Sequence, residues 1–167
     1  KYDTQPPKIT LNPKEDDKPA FTKDAVEYYG NVRKVDMNIH DVSLDDGSTQ
    51  LWVKVDDREE FDVFDVDNAQ KLIDAGIEYS DWIVTGADYS SCITFGTKAD
   101  EEHKYQIIRM YAKDQAEHEC NDTSSIEQPF YVDRKAPSGT IGYDADLIDE
   151  QNMVSQQASN VYGQLED

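Results

Sequence analysis

The sequence has few basic side chains for its length, and this scarcity argues against two classes of partner. Of its 167 residues, 16 are Lys or Arg and 36 are Asp or Glu, so the formal net charge is −20. Nucleic acids and anionic membrane surfaces both attract clustered basic residues, so we expect neither as a partner. No apolar run approaches the roughly 18 residues of a membrane-spanning helix, so we expect no membrane insertion.

The sequence also lacks the compact motifs of common catalytic sites. It contains no Gly-x-Ser-x-Gly, no glycine-rich phosphate loop and no His-Glu-x-x-His. Carboxylate pairs for acid–base chemistry cannot be singled out, because acidic residues occur throughout the chain. We therefore expect that the chain is not an enzyme and that it carries no organic cofactor.

Cysteine is scarce as well, with Cys92 and Cys120 the two present. They could form a disulfide if the chain is secreted, because secreted chains fold in an oxidising compartment. Cys120 also follows a strand that could return near Cys92. Buried or unreactive thiols are the alternative. Zinc is not expected, because the chain has no Cys-x-x-Cys or His-x-x-x-His spacing.

Alternation of apolar and polar residues predicts six short β-strands. The clearest is 34–40, and the others are 8–12, 50–56, 90–95, 105–112 and 130–133. Residues 45–48 (Asp-Asp-Gly-Ser) predict a turn before the third strand. The apolar faces of the strands predict a core made of Val35, Met37, Ile39, Leu51, Val53, Val55, Ile108, Met110 and Ala112.

One segment has helical rather than strand character. Residues 67–76 combine a capping residue, a Leu-Ile pair and a terminal glycine, which predicts a short helix ending at Gly76. We expect Leu72, Ile73 and Ile77 to pack it onto the sheets. Short strands with a single short helix predict an all-β fold, an antiparallel β-sandwich with one short helical insertion.

The chain also repeats itself. Asp3 and Pro7 recur as Asp133 and Pro137, both 130 residues later, and the Tyr-Gly pair at 29–30 recurs at 162–163. The repeat predicts one whole module, 1–133, followed by a linker and the truncated start of the next repeat, 134–167. Within that second part we expect a strand at 140–143 without its own sheet, and a competing apolar stripe predicts a helix at 150–165.

Two segments carry a family resemblance. Residues 133–137 (Asp-Arg-Lys-Ala-Pro) resemble the Asp-x-Thr-Ala-Pro junction of bacterial immunoglobulin-like repeats found in large surface proteins. Residues 112–118 (Ala-Lys-Asp-Gln-Ala-Glu-His) resemble the Ala-x-Asp-x-Ala-Gly-Asn segment of those repeats, with Glu117-His118 replacing Gly-Asn. The resemblance covers residues 3–143 and implies an immunoglobulin-like sandwich in a secreted or cell-surface, wall-attached protein.

The resemblance also implies a function. We expect a non-catalytic module, repeated in tandem, that acts as a stalk and contacts neighbouring repeats of the same chain. Two alternatives remain open: the module is itself an adhesin that binds a host glycan or protein, or it is an accessory domain of a secreted hydrolase.

Acidic clusters raise the question of calcium, which takes oxygen ligands. Asp62, Asp65 and Asp67 form the cluster in which we would look first. This cluster lacks the glycine and the terminal glutamate of a helix–loop–helix calcium site, so a solvated acidic face is the default interpretation.

Overall fold

The computed structural model describes residues 3–15, 17–122, 128–143 and 161–166. The chain divides into two compact units, Lys1–Arg134 and Lys135–Asp167. Whether the second unit is the start of another repeat stays a prediction.

The regular secondary structure of the first unit is almost entirely β-strand. The strands are β1 (Lys8–Pro13), β2 (Phe21–Lys23), β3 (Val26–Tyr29), β4 (Arg33–His40), β5 (Leu44–Val55), β6 (Glu59–Asp62), β7 (Ile77–Tyr79), β8 (Ile83–Thr85), β9 (Asp88–Phe95), β10 (Glu102–Asp114), β11 (Glu119–Asp122) and β12 (Phe130–Asp133). A 3-10 turn, Val66–Asn68, leads into the helix α1 (Ala69–Asp74).

The strands form two sheets that share one core. The smaller sheet has the order β1-β4-β9, with β7 and β8 both pairing with β9. The larger sheet has the order β2-β3-β12-β10-β5-β6, with β11 also pairing with β10. Every pair is antiparallel except β3 with β12, which is parallel. The predicted all-β sandwich with one short helix is confirmed.

The core lies between the two sheets, on the predicted faces of the strands. Val35, Met37 and Ile39 are at most 1% exposed, which confirms the register of β4. One core prediction is wrong: Ile107 is buried, and Ile108 is only half-buried. A bulge between Ile107 and Arg109 interrupts the alternation along β10, so a strict period of two fails across it.

Two local predictions also need correction. Residues 45–48 are part of β5, where the Ser48 hydroxyl accepts a hydrogen bond from Lys113 N at 2.9 Å, next to a second irregularity in the β5–β10 pairing. The predicted helix exists, but Ile73 is 61% exposed while Leu72 is buried. A helix of six residues presents a single narrow face to the sheets, so adjacent residues cannot both pack there.

The second unit contains a two-stranded antiparallel sheet. Its strands are β13 (Ser138–Tyr143) and β14 (Val161–Glu166). The predicted strand at 140–143 is therefore present, but it has a partner within the same chain. The predicted helix at 150–165 is wrong for residues 161–165, where strand pairing with β13 replaces the helical stripe, and residues 150–160 lie outside the described residues.

Gly96 allows the two sheets to approach each other closely. Its φ is +77°, and a Cβ at this position would overlap the Val132 side chain, at 2.8 Å from the Val132 Cβ. Gly86 provides a matched control, because its φ is +64° but nothing lies within 4 Å of its Cβ position. The two glycines share the left-handed conformation and differ in the space around them.

Replacing each glycine by alanine should separate the cost of a left-handed backbone from the cost of steric overlap with Val132. Gly86→Ala should lower the free energy of unfolding by about 1–2 kcal/mol, the cost of a left-handed alanine. Gly96→Ala should lower it by clearly more, because overpacking adds a further ~1–3 kcal/mol. Urea denaturation of both variants measures the difference, and equal losses would contradict the close packing at Val132.

Candidate functional site

Three aspartate carboxylates meet at one end of the sandwich. Asp3 precedes β1, Asp41 follows β4 and Asp114 ends β10. One oxygen of each carboxylate lies within 4.8 Å of the others. Asp41 and Asp114 are buried, and Asp3 is half-buried. We call these three residues the carboxylate cluster.

Strand pairing explains why residues so distant in sequence meet here. β1 pairs with β4 so that Lys8 lies opposite His40, which places the segment before β1 beside the residue that follows β4. β10 pairs with β5 so that Asp114 lies opposite Leu44, close to the connection between β4 and β5. The cluster is thus a product of topology.

Hydrogen-bond donors surround two of the carboxylates. Ser43 donates its backbone N–H to Asp41 Oδ1 at 2.7 Å and its hydroxyl to Asp3 Oδ2 at 2.8 Å. The backbone N–H of Gln5 donates to Asp3 Oδ1 at 3.1 Å. The Gln5 N–H, and after it the Ser43 hydroxyl, lower the pKa of Asp3.

Asp114 is the most enclosed member, with a side chain that is 0% exposed. Its Oδ1 accepts the backbone N–H groups of Ala116 and His118, both at 2.8 Å, and its Oδ2 lies 2.7 Å from His118 Nδ1. Burial acts to raise the pKa of Asp114, but the hydrogen bonds from the His118 side chain and backbone outweigh it and lower that pKa. Asp114 is therefore ionised at neutral pH although it is buried.

The chemistry of this donor set suits a hard divalent cation. Calcium takes roughly six to eight oxygen ligands, and carboxylates are its preferred protein ligands. The cluster offers carboxylate oxygens from three residues. A cleft of about 680 Å³ lies beside Asp3 and Asp41, so waters could supply further ligands. The carboxylate cluster could therefore hold calcium.

The carboxylates of the calcium site predicted from sequence, Asp62, Asp65 and Asp67, are not brought together as those of the carboxylate cluster are. Asp62 is buried and accepts the backbone N–H groups of Leu51 and Phe64 at 2.9 and 3.1 Å. Burial raises the pKa of Asp62. Asp65 accepts the N–H of Asp67 at 3.0 Å and so begins the 3-10 turn, while Asp67 is exposed. Among the described residues, these three do not form a group whose ligand atoms all lie within 4.8 Å of one another.

A signal for the carboxylate cluster was present in the sequence. Asp3 belongs to the segment that recurs at residues 133–137, and Asp114 belongs to residues 112–118, one of the two segments that carry the family resemblance. Asp41 follows the clearest predicted strand. What the sequence lacked was the strand pairing that joins these three positions.

The two cysteines are not bonded to each other in the structure. Cys92 alternates along β9 with the buried residues Ser91 and Ile93, so it faces the outside of the smaller sheet. Cys120 lies on β11 and packs against the core. Burial, and after it the Asp36 carboxylate, raise the pKa of Cys92.

Comparisons with known proteins do not supply a family for this chain. No family model matches it, and neither a curated protein nor a solved structure does. Within the described ranges, no helix has the length and apolar character needed to cross a bilayer.

Calcium should stabilise the folded chain more than magnesium does at matched ionic strength. A cation that binds only the folded state raises the melting temperature by mass action. Asp41→Asn should abolish the calcium-specific rise of several degrees, because it removes one carboxylate from the cluster. Thermal melts followed by circular dichroism measure the effect.

Asp67→Asn is the matched control, because it removes one charge from the cluster predicted by sequence alone. It should keep the calcium response. A response that is lost in Asp67→Asn and kept in Asp41→Asn would contradict the assignment to the carboxylate cluster.

Proposed function

We propose that this chain is a non-catalytic, immunoglobulin-like repeat module of a secreted or cell-surface, wall-attached bacterial protein. Its role is that of a spacer, which holds a functional region away from the surface, with neighbouring repeats as its partners. The observation that carries this proposal is the position of the two chain ends of the module.

The chain enters and leaves the sandwich at opposite ends of β10. The carboxylate of Asp3 lies beside Asp114, the last residue of β10. Asp133, the last residue of β12, lies opposite Glu102, the first residue of β10. A strand of 13 residues spans roughly 40 Å. We call the Asp3 side the entry end and the Asp133 side the exit end.

This arrangement supports a linear array. Asp3 and Asp133 are also the two copies of the repeated junction segment, so the module between them is one period of the repeat. Modules linked from exit end to entry end extend in one direction, whereas modules with both termini at one end would fold back. A net charge of −20 adds repulsion between neighbours and favours an extended array.

Two modules in tandem should be elongated. A protein with residues 3–137 in two successive copies should show a maximum dimension roughly 40 Å greater than a single copy by small-angle X-ray scattering. The single copy 1–137 is the control and should melt cooperatively, because every strand that the structure describes in the first unit lies within it.

A compact, side-by-side pair would contradict the spacer function. The sequence that flanks this chain in its parent gene gives an independent test. Many further copies would favour the stalk, and a single copy beside a catalytic domain would favour the accessory role in a hydrolase.

A second candidate function, adhesion, is favoured by a row of aromatic rings on the larger sheet. The rings of Phe21 and Tyr28 are stacked with centroids 4.5 Å apart, and those of Tyr28 and Tyr131 are stacked at 4.8 Å. Phe21 lies on the edge strand β2 and is 56% exposed. Exposed apolar surface of this kind is typical of a binding site for a glycan or a protein.

Adhesion can be tested by binding of the chain to an array of host glycans. If the module is an adhesin, Phe21→Ala should abolish the binding, because it removes the open ring at the end of the row. Ile83→Ala is the control, since Ile83 is 66% exposed on the other sheet. Equal loss in both variants would exclude the aromatic row as the binding site.

A further inference from the structure

His103 closes the core at the exit end. It is the second residue of β10 and shares the inward face of that strand with Tyr105, whose ring centroid lies 6.0 Å away. Its side chain is 19% exposed. Its register partner on β12 is Val132, an apolar residue. The imidazole is therefore a polar cap on an apolar interior.

Both ring nitrogens of His103 face carboxylates. Nδ1 lies 2.8 Å from Asp56 Oδ2, and Nε2 lies 2.9 Å from Glu101 Oε2. A neutral imidazole has one N–H donor, so it would leave one carboxylate facing a nitrogen lone pair. The imidazolium has two donors and satisfies both carboxylates. The geometry thus selects the protonated ring.

The other charged groups around His103 do not replace its charge. A cleft of about 210 Å³ beside the ring is also lined by two basic and two acidic side chains, namely Arg58 and Glu59 after β5, and Lys71 and Asp74 from α1. The two positive and two negative charges of these side chains cancel, so they add no net charge beside His103. Lys98 lies 3.1 Å from Glu101 Oε1, on the oxygen that does not face His103.

The two carboxylates connect His103 to the exit of the chain. Asp56 lies in the turn after β5, where its Oδ1 accepts the N–H of Lys104 at 2.8 Å. Glu101 precedes β10, and its backbone carbonyl accepts the N–H of Arg134 at 3.0 Å. Arg134 is the first residue after β12 and also donates to the carbonyls of Gly96 and Thr97 at 3.1 and 3.0 Å.

We infer that His103 is a proton-dependent clamp, which in its imidazolium form ties the turn after β5 to the loop before β10 and so holds the exit segment at Arg134. When the ring loses its proton, one of the two bonds is lost, and Asp56 and Glu101 keep their negative charges without the cation between them. The exit end of the module then loosens while the core stays folded. The clamp does not depend on the spacer function, although in an array it would make the joint after each module sensitive to pH.

The pKa of His103 agrees with this geometry. Burial acts to lower that pKa, but the hydrogen bonds to Asp56 and Glu101 outweigh burial and raise it above the ordinary value of 6.5. A histidine with a raised pKa in the folded state adds stability that is fully present below its unfolded pKa. That stability is lost as the pH rises through the folded pKa. The clamp is closed in mild acid and opens toward alkaline pH.

The first test is an NMR titration of the ring in the full chain. His103 should titrate above pH 6.5 and carry a proton on both ring nitrogens below its pKa. Glu101→Gln should lower the titration midpoint, because it removes one of the two negative charges. A midpoint at or below 6.5, or one unchanged in Glu101→Gln, would overturn the clamp.

The second test follows the exit segment itself. Hydrogen exchange of the Arg134 amide should be at least several-fold faster in His103→Gln than in the unchanged chain at pH 6, and this ratio should shrink toward one as the pH rises. His40→Gln is the matched control: His40 contacts a single carboxylate, that of Asp88, at the entry end, so its loss should leave Arg134 unchanged. A ratio that does not vary with pH would mean that His103 only fills space.

Discussion

Packing between β9 and β10 is the contact on which the rest of the sandwich depends. Phe95 of β9 has its ring centroid 5.1 Å from that of Tyr105 and 5.2 Å from that of Phe130, so its side chain bridges the two sheets. At Gly96 the sheets come so close to Val132 that there is no space for a Cβ. β9 carries β4, β7 and β8, while β10 carries β5, β11 and β12. Both sheets are therefore organised around the pair of strands that meet at this contact.

The sequence predicted those strands in which apolar and polar residues alternate regularly. In β4 and the later half of β5, burial follows the period of two, because both strands lie in the interior of a sheet with one face on the core. Short strands such as β2, β7 and β8 have three residues each, too few for an alternating pattern to be recognised. The wrong prediction that Ile108 rather than Ile107 is buried has a different cause. A bulge changes which residues face inward without changing the composition of the strand.

The candidate site could not be predicted from alternation along a strand, because its three residues are far apart in the sequence. In a chain with 36 acidic residues, local clusters arise often and attract attention first. Asp62 and Asp65 belong to such a cluster, but their ligand atoms and those of Asp67 do not all lie within 4.8 Å of one another. Asp3, Asp41 and Asp114 meet only when β1 pairs with β4 and β10 pairs with β5. Alternation along a strand indicates which face is buried, but it does not indicate which strand ends meet.

The two ends of the sandwich hold the three histidines of a chain that has few basic side chains. All three, His40, His103 and His118, lie within 2.6–2.9 Å of carboxylate oxygens. Histidine gains or loses its charge near neutral pH, whereas Lys and Arg keep theirs. At His103 the hydrogen bonds to Asp56 and Glu101 outweigh burial and raise the pKa, so the contacts at the exit end depend on the proton concentration. The middle of the sandwich is held by apolar side chains between β9 and β10. The fold thus separates an apolar core from an exit end whose contacts change with pH.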